Sequence, residues 1–141
     1  KIKFDVLKIR TMYEKTLHDP YTRENDKRIY PFGNKLRIYR LDEIPQIINV
    51  IKGDMHLIGP RAEWDILAND YEKKIKCYDI RSIVKPGITG WAQVMFKYGS
   101  NIEDSKQKLM YDLYYIKNWS VWLELEIGIR TFMVIFKKGG I

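Results

Sequence analysis

Two carboxylates stand side by side at Asp42 and Glu43, just after a pair of arginines, Arg37 and Arg40. Adjacent residues on a helix point about 100° apart, so the two would take separate jobs rather than share a proton. One carboxylate can attack phosphorus to give an acyl phosphate while its neighbour holds a divalent cation. Arginines and helix N–H groups suit phosphate oxygens. A plain structural reading competes. Asp at an N-cap followed by Glu stabilises any helix through capping and the helix dipole. On spacing alone the capping reading is the more economical.

Three further constellations carry polar chemistry. In Gly59-Pro60-Arg61 a turn places an arginine where a helix could begin, a way to cradle phosphate. A turn with a solvated arginine explains the same residues. The run Lys85-Pro86-Gly87-Ile88-Thr89-Gly90-Trp91 fixes a tight backbone path, which lets main-chain amides approach a ligand or simply joins two helices. The last apolar segment carries Trp119, Trp122, Leu125, Ile129, Phe132, Met133 and Phe136. It reads as core, or as a helix lying in a bilayer interface beside Lys137 and Lys138, with Glu124 and Glu126 requiring a wet face. The two histidines, His18 and His56, and the single cysteine, Cys77, cannot make a closed zinc site. No Walker loop, GxGxxG, HExxH or GxSxG occurs.

The elements that must position these groups follow from periodicity. Residues 1–11 alternate and then shift phase, which predicts a strand with a bulge, one half of a β-hairpin. Residues 13–33 are turn-rich and read as a loop. Pro45 is tolerated only in a first helical turn, so a helix is expected from Asp42 as N-cap to a stop at Gly53. A connector then runs over 54–60. Trp64, Leu67, Tyr71, Ile75 and Tyr78 predict a helix over 61–80, followed by a loop over 85–90. Ser100 and Glu103 form a capping-box pattern opening a helix to about Lys117. Ser120 caps a last helix, Val121 to about Phe136.

The whole chain has 141 residues, 45% apolar and 30% charged, which fits one domain with a real core. Its formal charge of +7 favours an anionic partner of any kind. One cysteine allows no internal disulfide. No stretch reaches the roughly eighteen apolar residues of a membrane span, and no signal peptide opens the chain. It reads as a fragment whose membrane anchor would lie upstream of Lys1.

Six motifs occur in order: Lys8-Ile9-Arg10-Thr11-Met12, Leu41-Asp42-Glu43-Ile44-Pro45-Gln46, Lys52-Gly53-Asp54-Met55, Gly59-Pro60-Arg61, Lys85 to Trp91, and Tyr111-Asp112 to Ser120. Together they resemble the bacterial sugar transferase family, the monotopic polyprenyl-phosphate phosphoglycosyl transferases, over nearly the whole chain. The resemblance reverses the order of the two readings of Asp42 and Glu43.

It implies a mainly α fold with a small β element, a compact helical catalytic domain over 1–141 with an N-terminal β-hairpin strand. In the intact protein such a domain is associated with the cytoplasmic face of the bacterial inner membrane. It also implies an enzyme that transfers a sugar 1-phosphate from a UDP-sugar to polyprenyl (undecaprenyl) phosphate, releasing UMP, as the first step of exopolysaccharide or O-antigen (lipopolysaccharide) assembly. Asp42 would be the nucleophile, and Glu43 would help bind Mg²⁺. Lys8, Arg10, Arg37, Arg40, Gly59, Pro60, Arg61, Lys85 and Asp112 would serve the phosphates and substrate. Val94-Met95-Phe96-Lys97 departs from the usual Val-Asn-Gly-Arg, with Lys97 standing for the arginine. Ala62 replaces a usual second proline, and His56 a common serine. The donor sugar and the oligomeric state stay open. Two rivals remain: a basic nucleic-acid-binding module, which the scatter of basic residues disfavours, and a non-catalytic fragment of the same fold.

Overall fold

The computed structural model describes residues 3–13, 26–96 and 101–136. Among the described residues six α-helices carry the fold: α1 (Pro31–Ile38), α2 (Gln46–Ile51), α3 (Asp65–Lys74), α4 (Trp91–Met95), α5 (Ile102–Lys117) and α6 (Val121–Phe136). Two 3₁₀ turns, Leu41–Glu43 and Tyr78–Ile83, join them. The sheet is a parallel pair of β1 (His56–Ile58) and β2 (Gly87–Thr89), with His56 opposite Gly87 and Ile58 opposite Thr89. The expected mainly α fold with a small β element is what forms, but the strands lie elsewhere than at the N-terminus.

Residues 3–11 form no strand. Their main-chain donors go to single partners instead of a ladder: Leu7 N donates to Asn49 Oδ1 (3.0 Å) and Ile9 N to the Asp42 carbonyl (2.9 Å). Asn49 also donates to the Asp5 carbonyl (2.9 Å), so this buried side chain of α2 clips the segment down. An isolated antiparallel bridge, Met12 to Ile29, is the nearest thing to a hairpin there.

The connector over 54–60 and the loop over 85–90 turn out to be the two strands. Glycine makes that pairing possible. A Cβ on Gly87 would collide with the Gly59 amide, so the two backbones meet only because neither carries a side chain. Gly59 N donates to the Thr89 carbonyl and Gly87 N to the Pro60 carbonyl, both at 2.9 Å.

The helix expected over 61–80 is shorter. Residues 61–64 run extended, α3 spans Asp65–Lys74, and a left-handed Cys77 (φ 63°) starts the Tyr78–Ile83 turn. The capping box of α5 is real but one residue later. Asn101 Oδ1 accepts from Asp104 N (2.7 Å) and Asp104 returns the bond; Ser100 lies outside the described residues. The Ser120 cap is as expected, its Oγ accepting from Leu123 N (3.2 Å).

α5 is the spine between two cores. On one side Leu109 packs with Tyr71, Ile75 and Tyr78. On the other Tyr115 packs with Leu123 and Ile127, and Ile58, Trp91 and Val94 close over them. That second cluster anchors β1, and with it the link that carries Arg61. Among the described residues no helix is long and apolar enough to cross a membrane.

Candidate active site

The Asp42–Glu43 pair does not cap an α-helix. Arg40 takes a left-handed conformation (φ 54°), and the chain then winds as a 3₁₀ turn in which Glu43 N donates to the Arg40 carbonyl and Ile44 N to the Leu41 carbonyl. The α-helix starts only after Pro45. No side-chain capping bond comes from either Arg40 or Pro45 at these starts. The tight winding exposes Leu41 and Ile44 and turns Asp42 and Glu43 inward, where both are buried. Helix capping therefore does not explain these two carboxylates.

Glu43 Oε1 accepts from Arg61 Nη2 (2.6 Å) and from Lys8 Nζ (3.1 Å). Burial by itself would raise the Glu43 carboxyl, but Arg61 and Lys8 outweigh it and hold the group at about 2. Asp42 is raised instead, first by burial and then by the charge of Glu43, with Lys8 and Arg37 opposing. Lys8 is lowered by burial and by Arg61, against the pull of Glu43. Two neighbouring carboxylates are thus driven apart: Glu43 a fixed anion, Asp42 a more basic one.

Arg37 reaches this cluster from the last turn of α1, where its Nε donates to Thr11 Oγ1 (2.8 Å). Thr11 is buried, and its carbonyl sits where a Cβ on Gly33 would strike it, which packs α1 against the N-terminal segment. Arg61 does not open a helix. It stands three residues past the end of β1 and forms an isolated bridge to Gly87. The Gly59 amide donates to the Thr89 carbonyl, the Pro60 carbonyl accepts from Gly87 N, and these two residues link β1 to Arg61.

The remaining expected site residues fall into different places. Arg40 sits at the entry of the 3₁₀ turn. Arg10, two residues past Lys8, is exposed, and its carbonyl accepts from the Tyr30 hydroxyl. Lys85 Nζ donates to the Gly53 carbonyl (2.6 Å), at the left-handed turn that ends α2. Asp112 is buried on α5, where its Oδ2 meets Arg81 Nη2 (2.8 Å). Lys97 lies outside the described residues. The structure therefore brings together Asp42, Glu43, Lys8, Arg37 and Arg61, and sets Asp112 and Lys85 on other contacts.

Sequence reasoning missed Thr11, Asn49 and Arg81. Asn49 showed no signal beyond being a polar residue inside an isoleucine-rich run. Arg81 stands just ahead of the Lys85-Pro86-Gly87 motif, and nothing in its neighbourhood marks Asp112, far along the chain, as its partner.

A buried pair of carboxylates with three cations close by is an arrangement suited to phosphate groups. The family model described as "Bacterial sugar transferase" matches residues 1–138. A UDP-N-acetylgalactosamine-undecaprenyl-phosphate N-acetylgalactosaminephosphotransferase of Aeromonas hydrophila is 40% identical over 97% of this chain and 33% of its own length. A UDP-glucose:undecaprenyl-phosphate glucose-1-phosphate transferase of Xanthomonas campestris pv. campestris is 42% identical over 92% of this chain and 28% of its own. One of the same name from Caulobacter vibrioides is 37% identical over 91% and 49%. The chain thus spans between about a quarter and a half of these relatives, and on the match of nearly its full length it belongs to the bacterial sugar transferase family.

Proposed function

We propose that the protein transfers a sugar 1-phosphate from a UDP-sugar to undecaprenyl phosphate, with release of UMP, through a phosphosugar acyl phosphate on Asp42. The observation that carries this is the convergence of Lys8, Arg37 and Arg61 on the buried Asp42–Glu43 turn. The relatives named above are UDP-sugar:undecaprenyl-phosphate transferases, and their chemistry fits these residues.

An Asp42 carboxylate oxygen attacks the β-phosphorus of the donor. The O–P bond forms as the bond to the bridging oxygen breaks, and UMP leaves with that electron pair. A phosphate oxygen of undecaprenyl phosphate then attacks the same phosphorus and frees the Asp42 carboxylate. Burial and Glu43 make Asp42 the more basic carboxylate of the pair, hence the better nucleophile, while Lys8 and Arg37 favour its ionised form. Arg61 and Lys8 spread the charge that develops on the diphosphate oxygens. Donor and acceptor use the same carboxylate in turn, so the kinetics are ping-pong.

Mg²⁺ is the expected cofactor. It commonly takes one or two carboxylates and fills its other positions with water and substrate phosphate. Glu43 would hold it, leaving Asp42 as the nucleophile, and a cation there would offset the Glu43 charge that, after burial, raises Asp42. When bound, Mg²⁺ supplies neutralisation of the diphosphate charge.

The lipid acceptor needs a membrane surface. α6 buries only Leu123 and Ile127 and leaves Trp122 and Phe136 81% and 82% exposed, with Ile129 and Phe132 on the open side too. We place this face against the cytoplasmic leaflet of the inner membrane, where assembly of an exopolysaccharide or O-antigen type of glycan would begin. The test is a UMP-release screen over several UDP-sugars with the full-length protein, undecaprenyl phosphate and Mg²⁺. Release that survives Asp42→Asn unchanged, or none with any donor, would remove the proposal.

A further inference from the structure

Two charged networks meet at Arg61. Its side chain pairs with Glu43, and its main-chain carbonyl accepts from Arg81 Nη2 (2.9 Å). Arg81 in turn is held from three sides. Its Nε donates to Asp112 Oδ2 (3.0 Å), its Nη1 to the Tyr78 hydroxyl (2.7 Å), and Glu63 Oε1 lies 3.7 Å from Nη1. The side chains of Arg81 and Asp112 are 10% and 3% exposed, so neither is a solvated surface group.

Resting on the reading of the Asp42 site above, we propose that Arg81, clamped by Asp112, is a positioning residue for Arg61. The pair fixes where the Arg61 main chain starts and so where its guanidinium meets Glu43 and the donor diphosphate. Neither Arg81 nor Asp112 touches the reacting atoms in this scheme.

Arg61 leaves β1 on an extended link with no helix around it, and its side chain is 39% exposed. Its long side chain can keep one geometry only if its backbone origin is fixed. A planar guanidinium does this well, because its donors leave at set angles toward α5, the Tyr78–Ile83 turn and the link itself. A misplacement of about 1 Å at a charge-stabilising group can cost two orders of magnitude in rate. Asp112 adds a pH dependence. Burial raises it to about 6, Glu63 adds to the rise, and Arg81 and Lys108 oppose it. Tyr78, itself raised by burial, stays a neutral acceptor for Arg81. Below about 6 Asp112 takes a proton, loses its charge and holds Arg81 more weakly.

The experiment measures UMP release by the full-length protein against pH, together with its melting temperature. Arg81→Lys and Asp112→Asn are each expected to lower kcat about tenfold at pH 7.5. Asp112→Asn should also remove the part of the acid limb centred near pH 6. Combined with Arg61→Lys, Arg81→Lys should cost less than the product of the two single losses, since both act on one guanidinium. Multiplying losses, an unchanged acid limb, or a lower melting temperature with kcat intact would each overturn the inference. If Arg81→Lys fails to fold, the isosteric Asp112→Asn carries the test alone. Unsubstituted protein that releases no UMP would instead sink the reading of the Asp42 site, a failure visible before any variant is made.

Discussion

Replacing Glu43 by Gln removes the anion that Arg61 and Lys8 share, and the structure sets the size and pH course of the loss. The Glu43 carboxyl is held at about 2 against an ordinary 4.5. That difference corresponds to about 3 kcal/mol of stabilisation at neutral pH. Arg61 and Lys8 are 39% and 40% exposed, so water screens part of it; about 2 kcal/mol is the expected loss. The sign follows from the depressed value. The contribution is complete above pH 4.5 and disappears as pH falls through about 2. Gln does not titrate, so the gap between the two proteins should shrink to roughly two-fifths of its neutral value by about pH 3. Urea unfolding followed by circular dichroism at the two pH values measures this directly. An equal loss at both, or no loss at neutral pH, would show that the ion triad does not stabilise the turn.

The other predictions concern the supports of the site. Asn49→Ala takes away the partners of Leu7 N and the Asp5 carbonyl. It should cost about 2 kcal/mol and speed amide exchange at Leu7 and Ile9, read by hydrogen-exchange mass spectrometry. Gly87→Ala drives a Cβ into the Gly59 amide and should lower stability by about 3 kcal/mol, visible as a fall in melting temperature. Chelating divalent ions with EDTA should stop UMP release and Mg²⁺ should restore it.

Some of this was legible in the sequence because it is local. α6 and its Ser120 cap, the stop of α2 at Gly53 and the identity of the Asp42–Glu43 pair depend on neighbours along the chain. The rest depends on contacts that no window contains. Alternation over 1–11 resembles a strand, yet the segment is pinned by Asn49 and the Asp42 carbonyl, which lie in other elements. The β pair consists of two three-residue strands punctuated by Gly and Pro, and each half alone reads as a turn. Asp and Glu before a proline look like a helix start. Only the left-handed Arg40 and the 3₁₀ winding reveal that they turn inward instead. The grip of Asp112 on Arg81 joins α5 to a turn across the core, and residue types could not announce it.

In the proposed reaction the carboxylate at position 42 bonds to phosphorus. Intact-mass analysis of the full-length protein, quenched after incubation with a UDP-sugar and Mg²⁺ but no lipid acceptor, tests it most directly. A mass gain equal to one phosphosugar, localised to Asp42, lost on adding undecaprenyl phosphate and absent from Asp42→Asn, is the predicted result. UMP release without any adduct, or an adduct that persists in Asp42→Asn, would contradict it.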